Sequence, residues 1–282
     1  MTNNTEDNVT INYYSNNNIS NFYKNIWGGE NIHIGIYDNE TDINKITIDT
    51  IKKCSDKKSE LMLKLIKMYK NNTTNYTIAD FGAGFGGTSR YIKSNLVYPN
   101  VIDCYDISNE NCKVNILKNL ENNLDIGVYN MSFLNIPVQN YYYDIIIAED
   151  VFIHINNKND LFKEMTRVII PSGFLILSDI LLDDNYDSNN DISDVCKRIG
   201  INKIDNEYNY KMIAKQNGFV LCNSIELKDN MLTHYECIKK LTEHHLEKSE
   251  EYNRIINGLD SWIKHIKLNN ITWKILIFKK HL

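Results

Sequence analysis

The sequence of 282 residues predicts an α/β fold in which one mostly parallel, seven-stranded sheet is covered by helices on both faces. Three observations predict it. Apolar segments typical of strands alternate with segments typical of helices, the strand segments are almost continuously apolar, and a glycine-rich turn follows the first of them. Since apolar strands of this kind are buried on both faces, we expect a Rossmann-like arrangement with crossover helices.

The part of the chain before the first strand is predicted to be helical. Apolar residues at helical spacing over 18–27 indicate a short amphipathic helix, two glycines end it, and a longer helical tract follows over 42–68. We expect residues 1–75 to form an N-terminal segment and a helical cap, and residues 76–282 to form the core.

In the core, the strands are predicted at 76–80, 101–106, 127–131, 143–148, 174–179, 219–227 and 271–278. Helices are predicted at 109–122, 160–169, 195–199, 208–217 and, as one long helix, 231–266. The alternation is interrupted after the fifth strand by a polar tract. We therefore expect a second piece of the cap to be inserted at about 181–205.

The composition favours a soluble protein with a small-molecule partner. The chain is 43% hydrophobic and 24% charged, and it has neither an apolar run of membrane-spanning length nor a secretory signal, so we expect a cytoplasmic protein without membrane partners. Its six cysteines form no C-x-x-C pair, so neither disulfides nor a metal site are expected. A net charge of −5 without a basic stripe predicts no nucleic-acid partner. We expect a monomer or a homodimer.

The glycine-rich turn suggests a nucleoside-containing cofactor. Asp80, Gly82, Gly84 and Gly86 form the pattern D-x-G-x-G-x-G directly after the first strand. The turn also fits G-x-G-x-x-G, so by itself it is compatible with a dinucleotide site or a flexible turn. Asp106 ends the second strand, where a carboxylate can accept both ribose hydroxyls. We favour a methyltransferase that depends on S-adenosyl-L-methionine (SAM), with a dehydrogenase as the alternative.

Polar residues also follow the third and fourth strands. Glu149, Asp150 and His154 come after the fourth strand, where open α/β sheets bind their ligands. A histidine packed in an apolar setting is the alternative interpretation of His154. After the third strand, Ser132 and Phe133 are placed to contact an adenine ring, although an ordinary strand end explains them equally well.

Several short segments, spread over nearly the whole chain, carry a resemblance to known enzymes. The segments are YYS at 13–15, FYKNIWGGENIHIG at 22–35, DFGAGFGG at 80–87, DVFIH at 150–154, LDSWI at 259–263 and residues 268–279. Together they resemble the sarcosine/dimethylglycine N-methyltransferases and, more distantly, the phosphoethanolamine N-methyltransferases, and the most specific part lies before the sheet. This resemblance implies a class I methyltransferase fold, SAM as cofactor with S-adenosyl-L-homocysteine as product, and a small amine as acceptor.

The resemblance also implies a role for individual residues. For the cofactor it implies that Asp80, Gly82 and Gly84 hold the methionine part and that Asp106 holds the ribose. It implies that Ile107 and Phe133 contact the faces of the adenine and that Ser132 contacts its edge. It also implies that His33 and Glu149 lie close to the cofactor. For the acceptor it implies Tyr14 and His154 as the catalytic pair, with Asp150 and an anion-binding Arg198 in the substrate site.

Two positions depart from these families. Residue 132 is a serine where many methyltransferases have an aspartate, which weakens the expected adenine hydrogen bond. Ile180 replaces the substrate tyrosine of the phosphobase enzymes, which disfavours a phosphate-bearing acceptor. Besides the dehydrogenase, a SAM-binding protein without activity and an RNA or protein methyltransferase remain as alternatives.

The chemistry of an amino-acid acceptor adds two requirements. Its amine must be uncharged to react, and His154 paired with Tyr14 is the candidate base. Its carboxylate needs a cation, and of the four arginines Arg198 is the candidate, with a solvated helix charge as the alternative. Tyr14, Tyr23 and Trp27 are expected either to surround the methylammonium or to pack in the core.

Overall fold

The computed structural model describes residues 26–27, 29–31, 33–38, 40–70, 75–96 and 101–281. Its centre is a seven-stranded sheet in the order β3-β2-β1-β4-β5-β7-β6. β7 runs antiparallel to its neighbours β5 and β6, and the other pairs are parallel, which confirms the predicted mostly parallel sheet. The strands are β1 Thr77–Phe81, β2 Val101–Asp106, β3 Gly127–Asn130, β4 Tyr143–Glu149, β5 Ile169–Leu182, β6 Phe219–Glu226 and β7 Ile271–Lys280.

The helices of the described residues flank this sheet. They are α1 Ile48–Tyr69, α2 Gly87–Asn95, α3 Asn109–Glu121, α4 Lys158–Val168, α5 Ser193–Ile199, α6 Glu207–Gln216, α7 Lys228–His245 and α8 Glu250–Lys267. Two short 3₁₀ turns complete the set, at Ile43–Lys45 and Phe152–His154. Within the described ranges, no helix is both long and apolar enough to cross a membrane.

Alternation along the strands divides the core into two layers. In β4, Ile145 and Ile147 belong to the cluster under α1, α7 and α8, whereas Ile146 belongs to the cluster under α4 and α6. Successive side chains of a strand point to opposite faces, so a continuously apolar strand supplies both layers at once. This is why β4 carries an uninterrupted apolar run over 145–148.

The predicted long helix over 231–266 is wrong, because the structure divides it into α7 and α8. The chain leaves helical geometry at Leu246 (ψ 135°), and Ser249 starts α8 by accepting a hydrogen bond from the backbone N–H of Tyr252 at 3.1 Å. A serine followed by Glu250 and Glu251 is a typical helix start, since acidic groups stabilise the first turn. The signal was in the sequence, but the acidic and basic residues around it also fit the outer face of a single long helix.

Two other elements begin five or six residues away from the predicted position. The helix expected from residue 42 begins at Ile48, after the 3₁₀ turn. β5 begins at Ile169 rather than at 174, because Ile169 already pairs with Tyr143 of β4. Most of the helix expected over 18–27 lies outside the described residues.

Candidate active site

A cavity lies at the carboxyl ends of β1, β2 and β4. Eleven of the residues predicted for the site line it, and they come from five separate parts of the chain. They are His33, Asp80, Gly82, Gly84, Asp106, Ile107, Ser132, Phe133, Glu149, Asp150 and His154. The fold therefore brings together residues that are more than 100 positions apart in the sequence.

The glycine turn after β1 forms the floor of the cavity through its backbone conformation. Gly82, Gly84 and Gly86 all have positive φ angles, of 73°, 54° and 77°. A Cβ added at Gly82 would overlap the side chain of Val151, so only glycine fits there. The amide of Gly84 donates to the Asp106 carboxylate at 2.9 Å, which ties the turn to the end of β2.

Two buried carboxyl groups flank the turn. Asp80 accepts a hydrogen bond from the Ser89 hydroxyl at 2.6 Å, and burial raises its pKa to about 7. Asp106 accepts from the amide of Ser108 at 2.8 Å, and burial raises its pKa as well. Because backbone and hydroxyl donors fix both groups, each presents a defined acceptor to the cavity.

One wall of the cavity beyond Asp106 is aromatic. Phe133 stacks on Phe81 with a centroid distance of 5.0 Å and an interplanar angle of 10°. Ile107 and Ser132 line the cavity beside it. A flat apolar wall of this kind suits a heteroaromatic ring.

Asp150 is the most unusual residue of the cavity. It directly follows β4 and has a φ of 59°, a left-handed conformation that is uncommon for residues other than glycine. Its Oδ1 accepts hydrogen bonds from the indole of Trp273 at 2.7 Å and from the hydroxyl of Ser178 at 2.9 Å. Its Oδ2 is buried and has no hydrogen-bond partner among the described residues. A buried carboxylate oxygen without a donor calls for a ligand that brings one.

Glu149, the residue before Asp150, forms a buried ion pair. Its carboxylate lies 2.5 Å from the ammonium of Lys58, a side chain of α1 that is 0% exposed, and the same ammonium donates to Ser178 at 3.1 Å. Burial alone would raise the pKa of Glu149, but the positive charge of Lys58 outweighs it and brings the pKa to about 2. Glu149 is therefore a carboxylate at neutral pH.

The two histidines of the cavity are uncharged at neutral pH. Burial, together with the positive charge of Lys158, lowers the pKa of His154 to about 4. Burial also lowers the pKa of His33, whose Nε2 lies 3.2 Å from the Thr88 hydroxyl. An uncharged imidazole can accept a proton, so His154 is chemically competent as a base.

Comparison with known proteins agrees with this geometry. The family model described as "Methyltransferase domain" matches residues 79–177, from β1 to β5. The sarcosine/dimethylglycine N-methyltransferase of Aphanothece halophytica is 28% identical over 95% of both chains. That of Halorhodospira halochloris is 26% identical over 95% of this chain and 94% of its own.

A solved structure extends the agreement to the fold. The crystal structure of a Galdieria sulphuraria protein, provisionally named a sarcosine dimethylglycine methyltransferase, superposes with a TM-score of 0.83 at 26% identity, over 99% of both chains. The chain is a SAM-dependent methyltransferase. The dehydrogenase and the SAM-binding protein without activity, both open from the sequence, are not supported.

The cavity of this methyltransferase fits its cofactor, SAM. The glycine turn leaves a cradle that side chains would fill, and Asp106 lines the cavity with a carboxyl group that can accept hydrogen bonds from hydroxyls. In addition, the Oδ1 atom of Asn31 lines the cavity region, is buried, and has no hydrogen-bond partner within the described ranges. An unpaired amide oxygen beside the start of α2 suits an ammonium group.

The structure does not bring every predicted residue to the cavity of the methyltransferase. Trp27 packs in the core, with its ring 4.7 Å from that of His234 and 5.8 Å from that of Tyr235. Arg198 lies on α5, with its guanidinium against Gly258 of α8, and does not line the cavity. Tyr14 and Tyr23 lie outside the described residues. The acceptor roles of all four stay predictions.

The two other arginines near the sheet each form an ion pair with a glutamate. Arg90, on α2, pairs with Glu30 at 3.0 Å. Arg167, near the end of α4, pairs with Glu164 at 2.6 Å. These pairs explain why neither guanidinium is placed to bind an acceptor.

Sequence reasoning missed Lys58, Asn31 and Trp273. Lys58 had a signal, because it stands at helical spacing between Cys54 and Met62 on the buried face of α1, where a lysine is out of place. Asn31 and Trp273 had none. Trp273 is one apolar residue among many in β7, and only the pairing of strands reveals that its N–H reaches Asp150.

Proposed function

We propose that this methyltransferase transfers the methyl group of SAM to the amine nitrogen of a small glycine-derived amino acid, sarcosine or dimethylglycine, in the direction of betaine. Asp150 carries the proposal. Asp150 lines a cavity that also holds an uncharged histidine, and its buried Oδ2 has no hydrogen-bond partner among the described residues. An N–H of the amine, present in sarcosine and in the ammonium form of dimethylglycine, satisfies such an oxygen. The whole-length similarity to enzymes named for these two substrates supports the same acceptor.

The first task of the site is to bind the amine without its extra proton. An aliphatic amine with a pKa of about 9.5 is mostly ammonium at pH 7.5, and selecting the neutral form costs about 2.7 kcal/mol. Asp150 would attract and orient the ammonium form, and His154, uncharged at this pH, would accept its proton transiently on the way to bulk water, because an imidazole with a pKa of about 4 does not keep it. The amine then keeps one lone pair directed at the methyl donor.

The second task is to keep the reacting groups dry and aligned. SAM, when bound, would supply a methyl group on a positively charged sulfur. The methyl carbon accepts the amine lone pair in line with the C–S bond, which breaks. Glu149 offers a carboxylate to positive charge in the cavity, and its partner Lys58 keeps the pair close to neutral overall. Both groups are held by α1 and β4, so little rearrangement is needed during reaction.

The third task is to hold the acceptor carboxylate, and we propose Arg198 for it. Its Nη1 is buried and has no hydrogen-bond partner in the part of the chain that the structure describes. We also propose that residues 1–75 and about 181–205 form the cap over the site, with Tyr14, Tyr23 and Trp27 around the methylammonium. The positions of Asn31, His33 and Lys58 at or behind the cavity support a covering role for the N-terminal part.

A phosphoethanolamine-type acceptor is the second candidate. Its amine could react at Asp150 and His154 in the same way, but the residue at position 180 argues against its phosphate group. Ile180 is 7% exposed in β5 and provides no hydroxyl for a phosphate. The remaining sequence predictions, a monomer or homodimer in the cytoplasm that binds no nucleic acid, belong to the same proposal.

The decisive experiment incubates the enzyme with SAM and a panel of amines and identifies the products by mass spectrometry. We expect methylated products from sarcosine or dimethylglycine, and none from phosphoethanolamine. Asp150→Asn should lower kcat/KM for the acceptor by about 100-fold or more, with SAM affinity nearly unchanged, because a carboxylate at the reacting centre is lost.

The matched control is Asp144→Asn, which removes a carboxylate at the opposite end of the same strand, where Asp144 pairs with Lys70. It should leave turnover of the folded enzyme intact. Methylation of phosphoethanolamine alone would replace the amino-acid acceptor by the second candidate, and equal activity of Asp150→Asn and the wild type would contradict the role of Asp150.

A further inference from the structure

We propose that Trp273 of β7 is a positioning residue, whose indole N–H holds Oδ1 of Asp150 so that Oδ2 is left to bind the amine of the acceptor. The inference rests on the proposed function and deepens it. It gives a functional role to β7, a strand that contributes no residue to the lining of the cavity.

The geometry of the contact is that of a fixed support. Trp273 is fully buried in β7, where it pairs with Ile180 of β5, and its Nε1 lies 2.7 Å from Oδ1 of Asp150. An indole has a single donor and no acceptor, so this hydrogen bond has one possible direction. A buried ring in the middle of a sheet has little freedom to turn, and the position of its N–H is therefore set by the fold.

The conformation of Asp150 explains why a support is needed. Its φ of 59° is strained for an aspartate, and such conformations persist only where neighbouring contacts impose them. The backbone N–H of Asp150 donates to the carbonyl of Ser178 at 2.8 Å, and the Ser178 hydroxyl donates to Oδ1 at 2.9 Å. Trp273 adds the second donor to Oδ1. With that oxygen occupied twice, Oδ2 is the one directed to the ligand.

A buried cation strengthens the same arrangement. The Lys58 ammonium lies 5.3 Å from the centre of the Trp273 ring and donates to the Ser178 hydroxyl. Because a hydroxyl that accepts from a cation becomes a better donor, both groups that bind Oδ1 are tuned by one lysine. Asp150 lines the cavity, whereas Lys58, Ser178 and Trp273 do not, which is typical of residues that orient a functional group without contacting the ligand.

The test compares two tryptophan variants of the full chain. Trp273→Phe keeps an aromatic ring in β7 but removes the N–H. Its control, Trp262→Phe, changes an equally buried tryptophan of α8 that stacks on Tyr235. We expect Trp273→Phe to lower kcat/KM for the acceptor by about 10- to 100-fold while the Kd for SAM changes less than twofold, and Trp262→Phe to leave both nearly unchanged.

A double variant separates positioning from general stability. In the Asp150→Asn background, Trp273→Phe should lower acceptor turnover by less than twofold further, because the group that it orients is already altered. The inference would be overturned if the losses of Asp150→Asn and Trp273→Phe in kcat/KM were fully additive. It would also be overturned if Trp273→Phe had wild-type kinetics while Asp150→Asn was impaired, and in that case the proposed function would stand.

A measurement without catalysis covers the case in which Trp273→Phe folds poorly. Among the indole N–H signals in a ¹H–¹⁵N spectrum, the Trp273 signal should be displaced downfield by the carboxylate, should move upfield in Asp150→Asn, and should shift when sarcosine or dimethylglycine is added. An unchanged Trp273 signal in Asp150→Asn would contradict the contact. Failure of every amine in the activity panel, with this signal behaving as expected, would instead reject the proposed acceptor and keep the Trp273–Asp150 contact.

Discussion

The two sides of the cavity are built in different ways. On the cofactor side, at the ends of β1 and β2, the defining contacts join residues close in sequence: nine residues separate Asp80 from Ser89, and 22 separate Gly84 from Asp106. On the acceptor side, after β4, 91 residues separate Lys58 from Glu149, and 123 separate Asp150 from Trp273. The cofactor side depends on a local backbone shape, and the acceptor side on side chains that only the complete fold brings together.

This difference has a consequence for specificity. A turn made of glycines can contact a ligand only through its backbone, so few substitutions there can change which cofactor it binds. A cluster of long-range side chains can change its partner by single substitutions, while the sheet stays as it is. We therefore expect differences in acceptor to arise on the β4 side and to leave the glycine turn unchanged.

The largest expected effect comes from removing the cation on the acceptor side. Lys58→Met leaves Glu149 as a buried carboxylate without its partner, which typically costs about 3–5 kcal/mol. Unfolding in urea should show this loss directly. The double variant Lys58→Met/Glu149→Gln should recover most of it, because the uncompensated charge is gone.

Lys53→Met is the control on the same helix. Lys53 pairs with Asp49 at the surface, where both side chains are more than half exposed and water screens the charges, so the change in stability should be close to zero. A loss for Lys58→Met as small as for Lys53→Met would mean that the Lys58–Glu149 pair is not the structural centre of the acceptor side.

An intermediate effect is expected from the backbone of the cofactor side. Gly82→Ala forces a methyl group into the side chain of Val151 at a φ of 73°, so the turn must move, and the Kd for SAM should rise by about 10- to 100-fold. Calorimetric titration measures it. Gly218→Ala is the matched control, because Gly218 has a φ of 83° with no atom near the added Cβ.

Gly218→Ala shares the backbone strain but not the collision. It should reduce stability by about 1 kcal/mol and leave SAM binding unchanged. If Gly82→Ala bound SAM as tightly as the wild type, the cofactor side would not depend on the backbone shape of the turn, and its contrast with the acceptor side would be contradicted.

The smallest expected effect is a pH dependence from His154. Its pKa of about 4 in the folded protein lies below the ordinary value of about 6.5, so the unfolded chain binds more protons between these two values. The stability that uncharged His154 contributes is therefore complete above about pH 6.5 and falls as the pH is lowered toward 4.

Between pH 7.5 and 5.5 this loss amounts to about 1 kcal/mol. Urea unfolding of the wild type and of His154→Gln at both pH values measures it, since the variant lacks this contribution. The same fall for both proteins would show that His154 titrates as an ordinary surface histidine.

Much of the fold could be predicted from the sequence, because its signals are local. Continuous apolar strands, the glycine turn, and Asp106 at the end of β2 each follow from a few neighbouring residues. The split between α7 and α8 was missed although Ser249 is a local signal, because the charged residues around it also fit the outer face of one long helix.

The acceptor side could be predicted only in part. Asp150 and His154 follow a strand and are visible as candidates, whereas the donors that orient Asp150 come from β5 and β7. Which residue of one strand meets which residue of another depends on strand order and register, and these are properties of the whole sheet. Arg198 illustrates the same limit, because its place against Gly258 depends on how α5 and α8 pack.

The position of β7 also imposes an order in time. This strand is inserted between β5 and β6, although it follows both in the chain, so Trp273 emerges from a ribosome 123 residues after Asp150. At about 5–20 residues per second, the interval is on the order of 6–25 s. During this interval Asp106 and Ser89, which contact the glycine turn and Asp80, have already been synthesised, whereas the second hydrogen-bond donor of Asp150 has not. In a growing chain, the contacts of the glycine turn can therefore form before the contacts that orient Asp150.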